Sequence, residues 1–457
     1  MLNLFCLKKA NYLIVIGLLI LSTKVSVAQN FYWVAFTDKN NTEFSLSHPE
    51  EYLSQRAIQR RIKQNIAIDS LDLPVNEQYI RQVLQLDAKF VHASKWLNGL
   101  TVKTVSDSFP NLVMQLPFIK NIQLTKPDVM DKSTFNKFAV TAKSNANQRE
   151  IDSSFYGNSY NQVAQLNGQY LHGKQYFGQG VQIAVLDAGF LHVDNFSTFD
   201  SLRAENRILG TKDFVNPQSD FFSTHYHGMS VLSCMAGYIP GILVGTAPKA
   251  SYWLLRSEDA DSEYIIEEDN WVVAAEYADS AGADIINSSL SYSTYEDEST
   301  SHTYEDMDGN TTRVSIGAGV AASRGMLVFV SVGNEGADKW KYIAAPSDAD
   351  DVLGIGAVTA TGEPAYFTSY GPAFDGDVKP NASAMGWNTF LQKKDGSLNS
   401  GNGTSFSSPL LAGMVACLWQ ANPHASAIEI KLAIEQSSSL YPLADSLIGY
   451  GIPDMEL

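Results

Sequence analysis

Apolar residues fall into three regimes along the chain. The first is an uninterrupted run, Tyr12-Leu-Ile-Val-Ile-Gly-Leu-Leu-Ile-Leu21, preceded by Lys8 and Lys9 and followed by the small residues of Ser26-Val27-Ala28. A basic stretch, about ten apolar residues and a small-residue site predict a secretory signal peptide over residues 1–28. An uncleaved membrane anchor is the alternative, but a spanning helix needs about 20 apolar residues. Cys6 precedes the run and so does not mark lipid attachment.

The second regime, residues 29–126, mixes strand and helix periods. Phe31–Asp38 alternates as a strand. Ser47 and Glu50 have the spacing of a capping box, which predicts a helix through about Asn65 with Leu53, Ala57, Ile58 and Ile62 on one face. A second helix is expected near Glu77–Leu86. Lys89–Trp96 and Leu100–Val105 flank Asn98-Gly99, a strong hairpin signal. A last helix near Ser108–Leu116 leads to a strand at Ile119–Thr125. This order is the split βαβ pattern of a small α+β, ferredoxin-like module. Arg56, Arg60, Arg61 and Lys63 sit on the first helix; they could form a docking face, but a charge run on a helix is more often solvated, and that is the expectation here.

Residues 127–154 are polar and aperiodic, and read as an exposed linker that holds a processing region. From 155 to 457 continuous apolar runs (Val181–Leu186, Tyr252–Leu255, Asp284–Asn287, Met326–Val332) alternate with helical segments at 263–282 and 315–325. Buried strands separated by helices predict a three-layer α/β domain on a mostly parallel sheet. The acidic stretch Tyr295–Asn310 reads as a loop.

Composition adds two constraints. Hydrophobic residues make up 45% of the 457 and charged residues 18%, which supports a folded chain with a sizeable core. Net charge is −17; residues 1–28 contribute +3 and residues 29–126 contribute +2, leaving −22 for the body. A field of that sign repels phosphate backbones, so nucleic acid is not expected as a partner. With one long apolar run, no integral membrane domain is expected after signal removal. The two cysteines beyond residue 28, Cys234 and Cys417, fall in separate helices and read as buried free thiols.

Three segments carry candidate chemistry. Val181-Gln-Ile-Ala-Val-Leu-Asp187 ends a strand in an acid, where sites in parallel sheets gather. His225-Tyr-His227-Gly228 opens an apolar helix. Gly401-Asn-Gly403-Thr-Ser405-Phe-Ser-Ser-Pro409 is a glycine-rich turn entering another, where helix amides lie beside an exposed hydroxyl. Each signal is weak alone. Their order, Asp then His then Ser, is one of three known orders of the serine triad.

At these residues the chain resembles the subtilisin-like serine proteases, with secreted Bacteroidetes-type members nearest in texture. Gly403-Thr-Ser405-Phe-Ser-Ser-Pro409 resembles the family's nucleophile motif, and Val332-Gly333-Asn334-Glu335-Gly336 resembles its oxyanion segment. Ile286-Asn-Ser-Ser-Leu-Ser291 resembles the strand that pairs with substrate. Gly245-Thr-Ala-Pro248 and Gly449-Tyr-Gly-Ile-Pro453 agree, and the N-terminal module resembles a subtilase propeptide. Departures are Ala188 in place of a hydroxyl residue, Gly228-Met229 where Thr is usual, and Ser291 for a frequent Gly.

The resemblance implies a secreted or cell-surface (periplasmic) serine endopeptidase made as a zymogen. Asp187, His227, Ser405 and Asn334 would be catalytic, and Ser289, Leu290, Ser291 and Gly333 would bind substrate. His225 is a weaker rival base. Protein or peptide substrates are the expected partners, with the propeptide as chaperone and inhibitor. Catalysis would need no cofactor. Structural calcium is left open: Asp306-Met-Asp308-Gly-Asn310 looks like half a calcium loop without its twelfth-position Glu. The alternative is an inactive peptide-binding or adhesive protein on the same scaffold.

Overall fold

The computed structural model describes residues 29–128, 137–138 and 154–457. The expected signal peptide and most of the expected linker lie outside the described residues. The N-terminal module contains strands β1 (Asn30–Phe36), β2 (Ala88–Ser94), β3 (Gly99–Thr104) and β4 (Ile119–Lys126), and helices α1 (Gln55–Lys63), α2 (Glu77–Leu84) and α3 (Phe109–Val113). The strands form one antiparallel sheet in the order β2-β3-β1-β4. The hairpin turns where expected, because Asn98 adopts φ of 49°, a conformation Asn tolerates. Val34, Phe36, Val83, Leu100, Val102 and Phe109 close a separate small core.

Two expectations for the first helix fail together. Pro49–Glu51 is only a short 3-10 turn, and α1 starts after Ser54, whose Oγ accepts from the Ala57 amide at 3.2 Å. The Ser54 amide meanwhile donates to the Ser280 carbonyl of the body at 2.9 Å. Docking therefore holds Ser54 in extended backbone at the cap, and the helix begins there. Nor is the basic cluster solvated. Arg60 and Arg61 are 5% and 1% exposed, and both pair with Asp279 of the body. Arg56 pairs with Asp284 at the rim of the same contact. Amphipathic spacing marks a helix face as charged, but the partner that buries it lies more than 200 residues away.

The body holds a seven-stranded, all-parallel sheet. Its order is Ala382–Met385, Leu353–Val358, Leu327–Ser331, Ile285–Ser288, Gln182–Asp187, Ser251–Arg256 and Ile208–Asp213. Period-two alternation within the apolar runs divides two cores. Ile183 and Val185 face the helices His227–Ala236 and Thr404–Ala421; Ala184 and Leu186 face Ile266–Ala281 and Arg313–Ser323. Burial on both faces explains why these strands read as continuous hydrophobic runs.

The module docks on the helices that cover the second face, rather than on the sheet itself. Glu276 accepts from the amides of Lys95 and Trp96, each at 3.0 Å, and from Ser94 Oγ at 2.5 Å. His92 Nε2 lies 3.0 Å from Asn270 Oδ1. Cys234 and Cys417 are buried and unbridged, and burial pushes both thiols up. Among the described residues no helix is long and apolar enough to cross a membrane.

Candidate active site

The candidate residues gather at the C-terminal edge of the sheet. Asp187 is the last residue of its strand, Ser289 follows the Ile285–Ser288 strand, and Gly333 follows Leu327–Ser331 by two residues. Parallel strands place all their carboxyl ends on one side, so residues far apart in sequence meet there. His227 opens its helix and its Nδ1 lies 2.8 Å from Asp187 Oδ1, with the pair 4% and 0% exposed. Asp187 Oδ1 also accepts from the Ala188 amide at 2.7 Å. Asp187 Oδ2 is buried without a hydrogen-bond partner, beside the position where Ala188 brings no hydroxyl.

Gly228 explains why the histidine can come so close. A Cβ at that position would lie 2.6 Å from the Gly189 carbonyl oxygen and 2.8 Å from Asp187 Cβ. Gly228→Ala should push the helix off the aspartate strand and lower kcat/KM about 10²-fold, the usual cost of misplacing a catalytic group by about 1 Å. Steady-state kinetics of the mature variant checks this; an unchanged kcat/KM would mean that the helix moves without consequence.

Ser405 stands in the first turn of the Thr404–Ala421 helix, after Gly403 at φ of 148°, a backbone region that side chains rarely enter. Its Oγ is 3.5 Å from the Ser289 carbonyl, and its own carbonyl accepts from Ser289 Oγ at 2.9 Å. The next residue, Phe406, has its ring centroid 6.1 Å from that of His227. Asn334 Oδ1 accepts from the Thr404 amide at 2.8 Å and from Thr404 Oγ1 at 3.0 Å. A backbone amide can only donate, so this contact sets the Asn334 flip and leaves its Nδ2 as a directed donor. Thr404 was legible only as one letter of the serine motif; its hold on Asn334 needed the fold.

Leu290 is buried and Ser291 half-buried in the stretch between the strand end and Tyr292, which pairs with Ala345. The Gly333 carbonyl is engaged by Thr404 Oγ1 at 3.2 Å and the Ser369 amide at 3.2 Å. Among the described residues His225 makes no such carboxylate contact. Burial, then the neighbouring His227, push its imidazole down to about 3, so it is a poor base at neutral pH. Asp306 and Asp308 spend their carboxylates on local turns, Asp306 on Thr303 and Asp308 on the amides of Asn310 and Thr311.

Phe138 completes the site. It belongs to the stretch expected to be exposed, yet it is half-buried, with its ring centroid 4.2 Å from His227 and 4.8 Å from His225.

A parallel α/β body with an aspartate, a histidine and a helix-leading serine along one sheet edge has the frame of a serine hydrolase. The comparisons with known proteins agree. A model of the subtilase family matches residues 178–451, and one of the Bacteroidota peptidase S8 propeptide domain matches residues 31–148. The chain belongs to the subtilase family. It is 26% identical to Subtilisin NAT of Bacillus subtilis subsp. natto over 286 residues, which is 61% of this chain and 65% of that one. Serine protease AprX of Bacillus subtilis (strain 168) is 28% identical over 321 residues, 64% of this chain and 67% of its own. In each case about two thirds of the relative is spanned. The crystal structure of MycP1 from the ESX-1 type VII secretion system shares the fold, with a TM-score of 0.50 and 20% identity over 68% of this chain and 90% of that chain.

Proposed function

We propose that this chain is the zymogen of a secreted serine endopeptidase. The observation that carries the reading is the 2.8 Å contact between His227 Nδ1 and Asp187 Oδ1, at a helix start where the His227 ring centroid lies 6.1 Å from that of Phe406, the residue after Ser405. A serine hydroxyl is a poor nucleophile at its free pKa and needs an adjacent base. His227 Nε2 takes the Ser405 proton as Oγ attacks the peptide carbonyl, and later returns it to the leaving amine. Asp187 holds Nδ1–H and stabilises the imidazolium. The tetrahedral oxyanion receives hydrogen bonds from Asn334 Nδ2 and the Ser405 amide. The acyl-enzyme is then hydrolysed by water through the same base. Base, orienting acid and donors are all protein groups, so this route needs no cofactor. Ser289, Leu290 and Ser291 offer backbone beyond the strand end, against which an extended substrate can lie. Secretion rests on the leader sequence, and zymogen character on the docked module.

Reaction of Ser405 with a fluorophosphonate after maturation tests the reading and separates it from an inactive binding protein, which would not be labelled. Asn334→Ala should lower kcat about 10²–10³-fold. Unaffected turnover, with Thr404 still in place by an unchanged melting temperature, would move the oxyanion role elsewhere.

A further inference from the structure

Phe138 reaches the catalytic histidine together with its neighbour. The Lys137 ammonium enters a pocket made by the loop after the Ser251–Arg256 strand and the first turn of the Ile266–Ala281 helix. There it pairs with Glu258, with Glu263 Oε2 at 2.9 Å and with Glu267 Oε2 at 3.1 Å, and it donates to the Ser262 carbonyl at 2.8 Å. The Lys137 side chain is 11% exposed, and Glu258 and Glu267 only 3% and 1%. Oxygens of the three carboxylates lie within 4.8 Å of one another.

The three carboxylates and the groups that hold them belong to the body, while Lys126 of the module braces the same loop at Asp259 Oδ2 (3.0 Å) and Ser262 Oγ (2.8 Å). Tyr292 Oη donates to Glu258 Oε2 at 2.8 Å, and the Asp259 amide donates to Glu267 Oε1 at 3.0 Å. Two buried carboxylates and a half-buried third in mutual contact are costly as anions. Burial, then Glu258, hold Glu267 well above the usual carboxylate range, and burial raises Glu263 to about 7 even with the lysine present. Burial alone would lower Lys137, but Glu258 and the other two carboxylates outweigh it and hold the ammonium well above its ordinary value. A site of this kind calls for a cation, and Lys137 arrives on a segment outside the body.

We propose that Glu258, Glu263 and Glu267 are the specificity pocket for a lysine or arginine side chain of the substrate, which Lys137 occupies in the zymogen. The assignment rests on the peptidase reading above. Lys137 and Phe138 are consecutive, so the register follows: the basic residue directly precedes the residue lying over His227. Lys137-Phe138 thus blocks the site as a substrate would fill it. Removing the module together with the segment that carries Lys137 empties the pocket of its cation, so a mature enzyme gains most from peptides that restore one.

The experiment is cleavage-site profiling of the mature enzyme on a proteome-derived peptide library, with fluorophosphonate labelling in parallel. Lys and Arg should be enriched at one position on the acyl side of the scissile bond. A fluorogenic peptide carrying Lys there should exceed its norleucine counterpart about 10²-fold in kcat/KM. In the double variant Glu258→Gln, Glu267→Gln that ratio should fall below about fivefold. If Ser405 is labelled and peptides are cut with no basic preference at any position, the pocket assignment is wrong and the peptidase reading stands. If Ser405 is neither labelled nor active, the peptidase reading fails and takes the pocket with it. A calcium ion retained by the mature enzyme and lost in the double variant, without basic preference, would make the cluster a metal site and overturn the proposal. Should the double variant fail to fold, the wild-type profile decides by itself.

Discussion

Ser405→Ala is expected to abolish peptide hydrolysis, with a loss of about 10⁶-fold in kcat. In subtilisin, a relative, the triad acts as a unit, and deleting its nucleophile alone costs about that much. The fold should survive. Ser405 Oγ makes only a 3.5 Å contact with the Ser289 carbonyl, and the tighter Ser289 Oγ bond goes to the Ser405 backbone. Exposed to 8% and followed by a long helix, the position accepts Ala without a cavity of consequence. The melting temperature should therefore change little while turnover vanishes. If the body removes its own module, the same variant will accumulate as the uncleaved precursor, which intact-mass measurement shows directly. Casein hydrolysis by purified Ser405→Ala at a near wild-type rate would sink the assignment. Spontaneous maturation of that variant in a protease-deficient host would mean that another enzyme processes it.

Asp279→Ala should weaken inhibition by the N-terminal module about 10²–10³-fold. Asp279 is fully buried on the Ile266–Ala281 helix and meets three cations of the module: Arg60, Arg61 at 2.9 Å and Lys95 at 3.2 Å. Breaking a buried pair by removing one partner costs about 3–5 kcal/mol, because the remaining charges stay buried. Arg61 keeps Asp72 at 2.6 Å, and Arg60 keeps the carbonyls of Ala283 and Arg324, which moderates the loss. The inhibition constant of residues 29–148, which carry the module with its own core and the Lys137-Phe138 block, against mature wild-type and variant enzyme measures the effect. An unchanged constant would mean that the apolar contacts carry the docking. Arg60→Ala in the module is the control should the body variant not fold.

The same carboxylate predicts an acid dependence. Burial would raise it, but Lys95, Arg60 and Arg61 bring it down to about 2. A depressed value contributes stability above the ordinary carboxylate pKa of about 3.9, lost as pH falls toward 2. The wild-type complex should loosen across that window, and the Asp279→Ala complex should lack this component. Salt should act differently. The opposite net charges of module and body speed encounter and are screened, whereas buried pairs are screened little, so salt should lower the association rate and spare the dissociation rate.

Much of this molecule was legible in one dimension. Strand–helix alternation beyond residue 155, the Asn98-Gly99 hairpin and the order Asp187, His227, Ser405 each depend on local period, turn chemistry or residue identity, which a sequence carries. The outer strands Ile208–Asp213, Leu353–Val358 and Ala382–Met385 did not stand out, because Gly, Ala and polar residues interrupt their apolar pattern. The misread positions are polar ones whose state depends on a distant partner. Arg60 and Arg61 are buried because Asp279 meets them across a docked surface. Ser54 rather than Ser47 caps the first helix because Ser280 holds its amide. Lys137, in a stretch with the composition of an exposed linker, enters a pocket of three glutamates from beyond residue 257. By itself the sequence determined the elements and the identities of the reacting groups, since these follow from near neighbours in the chain. The tertiary structure alone decided which charges are buried and against what, because the cost of burying a charge is set by partners that only folding brings within hydrogen-bond reach.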